Sequence, residues 1–110
     1  MTTSVAAEIY MYRHLYWLLD VVAAAYGLSR RRLQAKRRHR RDTEARWVAG
    51  YILRRHAPEM SYPDIARLFG QHHTSIMHGE RRVREMLEHD LYLQALVLEI
   101  EEQIAERIAA

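Results

Sequence analysis

The chain has 110 residues, a formal net charge of +3 and no cysteine, enough for one small core and too little to add a nucleotide-hydrolysing module. Its glycines (Gly27, Gly50, Gly70, Gly79) stand singly, so neither a Walker loop nor a dinucleotide fingerprint can be assembled and no ATPase or other enzyme is expected. The lack of cysteine excludes disulfides, thiolate zinc sites and thiol nucleophiles, and the lack of a long apolar run or a secretory leader predicts a cytoplasmic chain with no membrane partner.

The pattern predicts an all-α fold: a compact helical bundle forming a single domain over residues 1–110. Over residues 6–25, Ile9, Met11, Tyr12, Leu15, Tyr16, Leu18, Leu19, Val22 and Ala23 recur with three-and-four spacing, enough for one long or two short helices. Gly27 is the expected C-terminal stop. Ser29 caps a short turn to Leu33, and the basic run 30–41 (RRRLQAKRRHRR) follows as a loop or frayed helix end. Residues 43–56 place Ala45, Val48, Ala49, Ile52 and Leu53 on one face of an amphipathic helix. Ser61, Pro63 and Asp64 then form a helix-start signature: a capping hydroxyl, a proline in the first turn and an acid three residues on.

That helix is expected to run to about Leu68, with a turn at Gly70, Gln71 and His72. A further helix over about 74–88 should turn Ile76, Met77, Val83, Met86 and Leu87 inward. A last one, over about 91–108, lines up Leu93, Leu96, Val97, Ile100, Ile104 and Ile108. Trp47 is expected to pack beneath the basic loop, and His14, His39, His56 and His89 to lie on the surface.

Charge is segregated along the chain. Residues 29–55 hold ten arginines and one lysine against Asp42 and Glu44, whereas residues 80–110 are net acidic. A basic centre suits a polyanion, and a short helix, a glycine turn and a longer helix over about 61–88 have the form of a helix-turn-helix. In that arrangement the second helix offers its first side chains to base edges. Thr74 and Ser75 can donate to bases or phosphates, and Thr74 can equally serve as the helix cap.

The ordered set Tyr26, Leu28, Leu33, Lys36-Arg37-Arg38, Arg46, Ala49, Ser61, Pro63, Ile65, Phe69-Gly70 and His73-Thr74-Ser75-Ile76-Met77-His78-Gly79 resembles the C-terminal DNA-binding domain of the bacterial replication initiator DnaA. The likeness spans roughly residues 19–104, and the family signature it meets is similar to FGxRDHTTVxHAxxK. It implies double-stranded DNA as the partner and, by position, Arg38 in the minor groove, with His72, His73, Thr74 and Ser75 in the major groove. It likewise implies Lys36, Arg37, Arg40, Arg46, Arg54, Tyr62, Pro63, Arg81 and Arg82 along the phosphate backbone. Two departures stand out: His72 replaces an acidic residue, and Gln71 occupies a turn one residue short. An altered base preference is expected from the first, because an imidazole cannot offer the acceptors of a carboxylate.

The resemblance implies a nucleoid-associated regulator of replication or transcription without cofactor. Three other readings are weighed against it. The chain could serve as a helical interaction module for a replication protein, through its aromatic N-terminal segment or acidic C-terminal helix, or as a helix-turn-helix repressor with unrelated operators. A metal-dependent nuclease built on His72, His73 and His78 lacks the carboxylates such chemistry recruits, so no metal site is expected. The apolar stripe of the last helix also leaves a homodimer seam open.

Overall fold

A computed structural model describes residues 5–36 and 38–109, with side chains for 14–36 and 38–107. The side chains of Ile9, Tyr10, Met11, Tyr12 and Ile108, and all of Arg37, lie outside the described residues. Within them the chain forms six helices and no strand: α1 (Val5–Ala25), α2 (Arg30–Gln34), α3 (Arg40–His56), α4 (Tyr62–Phe69), α5 (His73–Leu87) and α6 (Leu91–Ala109). No helix among these residues is long and apolar enough to cross a membrane.

The first segment is therefore one helix, not two. It stops where Gly27 adopts φ +67° and the amide of Leu28 reaches back to the Ala23 carbonyl at 2.8 Å, a left-handed turn that a side chain resists. Ser29 caps α2 by accepting from the Arg32 amide. α3 begins at Arg40, three residues earlier than the apolar pattern indicates. The cause is Asp42: fully buried in the first turn of α3, it pairs with Arg32 of α2 at 3.3 Å, and an acid there also suits the helix dipole.

Helix α3 is the centre of the domain. It packs against α1, α2, α4 and α5, while α6 closes over α1 and α5. Leu19, Leu33, Val48, Ile52, Ile65, Val83, Ile100 and Ile104 have no exposed surface and draw every helix into one cluster. Each such side chain contributes about 1.5–3 kcal/mol on burial, offset by the entropy of ordering the chain. Leu93 and Val97 of the last helix are buried as its stripe requires, and Leu96 is half-buried.

Polar links set the orientation of this cluster. The buried Tyr26 hydroxyl donates to Glu44 at 2.7 Å, and burial followed by that carboxylate pushes the phenol well above its ordinary range. Glu101 of α6 receives Arg55 at 3.3 Å and His56 at 3.1 Å, tying α6 to the end of α3. His56 is thus half-buried against α6 instead of lying free on the surface. Met77, expected inside, is 41% exposed, because the inward positions of α5 are Ile76, Gly79, Glu80 and Val83.

Candidate nucleic-acid interface

The helix pair α4–α5 is built from local signals. Ser61 Oγ accepts from the Asp64 amide at 3.2 Å, and the Asp64 carboxylate accepts from the Ser61 amide at 3.0 Å. The Ser61 amide first, then the Ser61 hydroxyl, hold the Asp64 carboxyl below its usual value. Pro63 occupies the first turn, where a missing amide proton costs no hydrogen bond. At the other end Gly70 takes φ +60° and the Gln71 amide returns to the Ala66 carbonyl at 3.0 Å.

The chain then enters α5 with His72 as the cap. Its Nδ1 accepts from the Thr74 amide at 3.3 Å and lies 2.9 Å from Thr74 Oγ1. Thr74 is therefore not the cap, and its side chain, like that of Ser75, is exposed on the first turn. His73 is half-buried, with its ring 4.2 Å from that of His72 at a 35° tilt. Thr74, Met77, His78 and Arg81 form one outward stripe at i, i+3, i+4 and i+7, all exposed. Met77, expected inward, and His78, weighed only within the family motif and as a metal ligand, join this face.

Trp47 sits elsewhere than beneath the basic loop. Its indole occupies the space left by the absent side chain of Gly79, where a Cβ would stand 2.3 Å from Trp47 Cδ1. His78 meets the same ring edge-on at 5.7 Å, and the Arg82 guanidinium stands 6.0 Å from its centroid while pairing with Glu85 at 3.0 Å. The recognition-type helix thus rests on an aromatic wedge from α3.

The basic segment between α2 and α3 is tied to this unit at several points. Gln34 donates from Nε2 to the Leu68 carbonyl at 2.9 Å, satisfying a carbonyl in the last turn of α4. The Lys36 stem lies over the turn, its Cε 3.1 Å from where a Cβ on Gly70 would be. From below, Arg46 donates from Nη1 to the Ala35 carbonyl at 2.9 Å and from Nη2 to Thr43 at 3.3 Å. Lys36, Arg38, Arg40 and Arg41 remain exposed around it. The sequence offered no sign of Gln34 as a link, since nothing local marks a contact 34 residues away.

Two arginines assigned to the phosphate backbone by position also make bonds within the protein. Arg46 is only 6% exposed; burial pulls its guanidinium below its ordinary value, with Asp42 pulling the other way. Arg54 is half-buried, stacks on the Tyr62 ring at 4.4 Å and donates to the Met60 carbonyl at 2.6 Å. Both hold loops in place, Arg46 the basic loop and Arg54 the 57–61 connection, with Tyr62 half-buried beside it. Pro63, Arg40 and Arg81 are exposed, and Arg82 is half-exposed against Trp47. Among the described residues no three His, Asp or Glu side chains are grouped to hold a metal ion.

A short capped helix, a glycine turn and a second helix with an outward polar face, seated beside an arginine loop, define a helix-turn-helix protein. The family model for the bacterial dnaA protein helix-turn-helix matches residues 17–83. The chain belongs to that family. It is similar to the chromosomal replication initiator protein DnaA of Chloroflexus aggregans, 35% identical over 88 residues, covering 79% of this chain and 18% of the relative. The DnaA of a Picosynechococcus strain is 32% identical over 88 residues, covering 79% of this chain and 19% of its own length. That of Rhizobium meliloti is 36% identical over 74 residues, covering 66% of this chain and 15% of the relative. The chain spans less than a fifth of the length of these relatives.

Proposed function

We propose that the protein binds double-stranded DNA with a sequence preference and acts as a regulator of replication or transcription, contributing recognition and no covalent chemistry. In this reading α5 enters the major groove and presents His72, His73, Thr74 and Ser75 to base edges. Arg38 reaches the neighbouring minor groove, and Lys36, Arg37, Arg40, Arg81 and Arg82, with Tyr62 and Pro63 at the start of α4, follow the phosphates. The observation that carries it is the attachment of the exposed basic segment to the helix-turn-helix, by Gln34 of α2 to the last turn of α4 and by Lys36 over Gly70, in a chain of the DnaA helix-turn-helix family.

A salt titration of binding to random-sequence duplex tests the reading. With Arg46 buried and Arg54 engaged by the Met60 carbonyl and the Tyr62 ring, roughly 5 phosphate contacts remain, which gives a slope of log K against log salt of about −4.5. An interaction module without nucleic-acid affinity would give a flat response, and that result would overturn the proposal.

A further inference from the structure

We infer that His72 addresses the duplex as a fixed hydrogen-bond donor, through Nε2–H, because the cap of α5 claims its other ring nitrogen. The inference rests on the proposed binding of DNA and specifies how one position of that face discriminates. A neutral imidazole carries one proton on two nitrogens, and an accepting nitrogen carries none. Since Nδ1 accepts from the Thr74 amide, the proton of the neutral ring sits on Nε2. This placement follows from the hydrogen-bond network, which is how tautomers are assigned.

The same bond commits Thr74. Its hydroxyl lies 2.9 Å from Nδ1, and with no proton on that nitrogen the hydroxyl is the donor, sharing with the Thr74 amide the single lone pair that Nδ1 offers. Thr74 Oγ1 then keeps its lone pairs for an outside donor. The His73 ring, 4.2 Å away and tilted by 35°, limits how far the His72 ring can turn. The first turn of α5 thus offers adjacent groups of opposite sense, a donor at His72 and an acceptor at Thr74. In the major groove guanine presents two acceptors and adenine and thymine one each, adenine beside an amino donor, whereas cytosine presents only an amino donor. At the base edge facing His72 the protein selects guanine and rejects cytosine, with adenine and thymine between them.

Two measurements test this. The first needs no DNA: long-range proton–nitrogen spectra of the free protein at neutral pH show the His72 ring protonated at Nε2, and protonation at Nδ1 overturns the inference. The second is selection from a randomised duplex library with the native protein, His72→Asp and His72→Asn. Aspartate and asparagine both cap helices well, so each variant keeps α5 intact. His72→Asp exchanges the outward donor for acceptors, while His72→Asn restores an outward amide donor.

The expected result is a change confined to one position, where guanine is favoured over cytosine by roughly two- to tenfold with the native protein. There His72→Asp reverses the preference toward a base with an exposed amino group, and His72→Asn retains guanine. Identical enriched sequences for all three proteins, with binding intact, would show that His72 only caps, leaving DNA binding itself standing. No enrichment by any of the three, together with a flat salt response, removes the proposed function and this inference with it.

Discussion

Replacing Gly79 by alanine should destabilise the domain, although the same change in a free helix is favourable by about 1 kcal/mol. The new methyl would lie 2.3 Å from Trp47 Cδ1, 2.9 Å from Cγ and 3.1 Å from Nε1. Those atoms belong to the base of the indole, so relief requires either opening α3 from α5 or rotating the whole ring off His78. Overpacking of this kind costs about 1–3 kcal/mol, which outweighs the propensity gain and leaves a net loss of about 1 kcal/mol. Gly50, on α3, is the internal control: a Cβ there meets Ile76 Cγ2 at 3.6 Å, an ordinary contact, and Gly50→Ala should stabilise by roughly 0.4–1 kcal/mol. Urea and thermal unfolding followed by circular dichroism would move the midpoint in opposite directions for the two variants. In a Trp47→Ala background the penalty at Gly79 should vanish, giving a coupling that a double-mutant cycle reads directly. A Gly79→Ala protein as stabilised as Gly50→Ala, with Trp47 in place, would refute the wedge.

Arg38 and Arg46 should separate binding from architecture. Arg38→Ala is expected to weaken DNA binding and leave the unfolding midpoint unchanged, whereas Arg46→Ala should cost about 1–3 kcal/mol of stability by stranding the Ala35 carbonyl; equal stability of the two variants in denaturant titration would contradict the assignment. Asp64 should add an acid-sensitive component. Its carboxyl is lower in the folded chain than in the unfolded one, so its contribution is present above the unfolded value of about 3.9 and is lost as the pH falls through the lower folded value. Urea midpoints for the native protein and Asp64→Asn should converge on acidification below about pH 4, and a constant gap between them would show that the capping carboxylate plays no part.

The sequence disclosed what is local. The start of α4 was readable because Ser61, Pro63 and Asp64 make their cap within four residues, and Gly27 and Gly70 were readable because left-handed turns select glycine. The helix-turn-helix followed from these signals, and the family motif named its face. Contacts across the chain were not readable. Trp47 and Gly79 fit together only once α3 and α5 are packed, and neither residue alone announces a wedge. Neither the charge count nor the family resemblance, which implies phosphate contacts for Arg46 and Arg54, says which arginines face a carbonyl of their own protein. Met77 was placed inside for a related reason: an apolar residue adjoining Ile76 satisfies a three-and-four pattern equally well, and only the position of α3 decides between them.

The bonds from Gln34 to Leu68 and from Arg46 to Ala35, with Lys36 laid across Gly70, bear on the layout of a binding site. They tie the loop that carries Lys36 and Arg38 to the end of α4 and to the turn that leads into α5, so that in the proposed binding mode loop and helix act as the jaws of one calliper. On a duplex rising 3.4 Å per base pair and turning once in about 10.5, the bases under each jaw then stand at one permitted separation. In the proposed binding mode a single inserted pair should rotate one of them out of reach, so that spacing is selected along with identity.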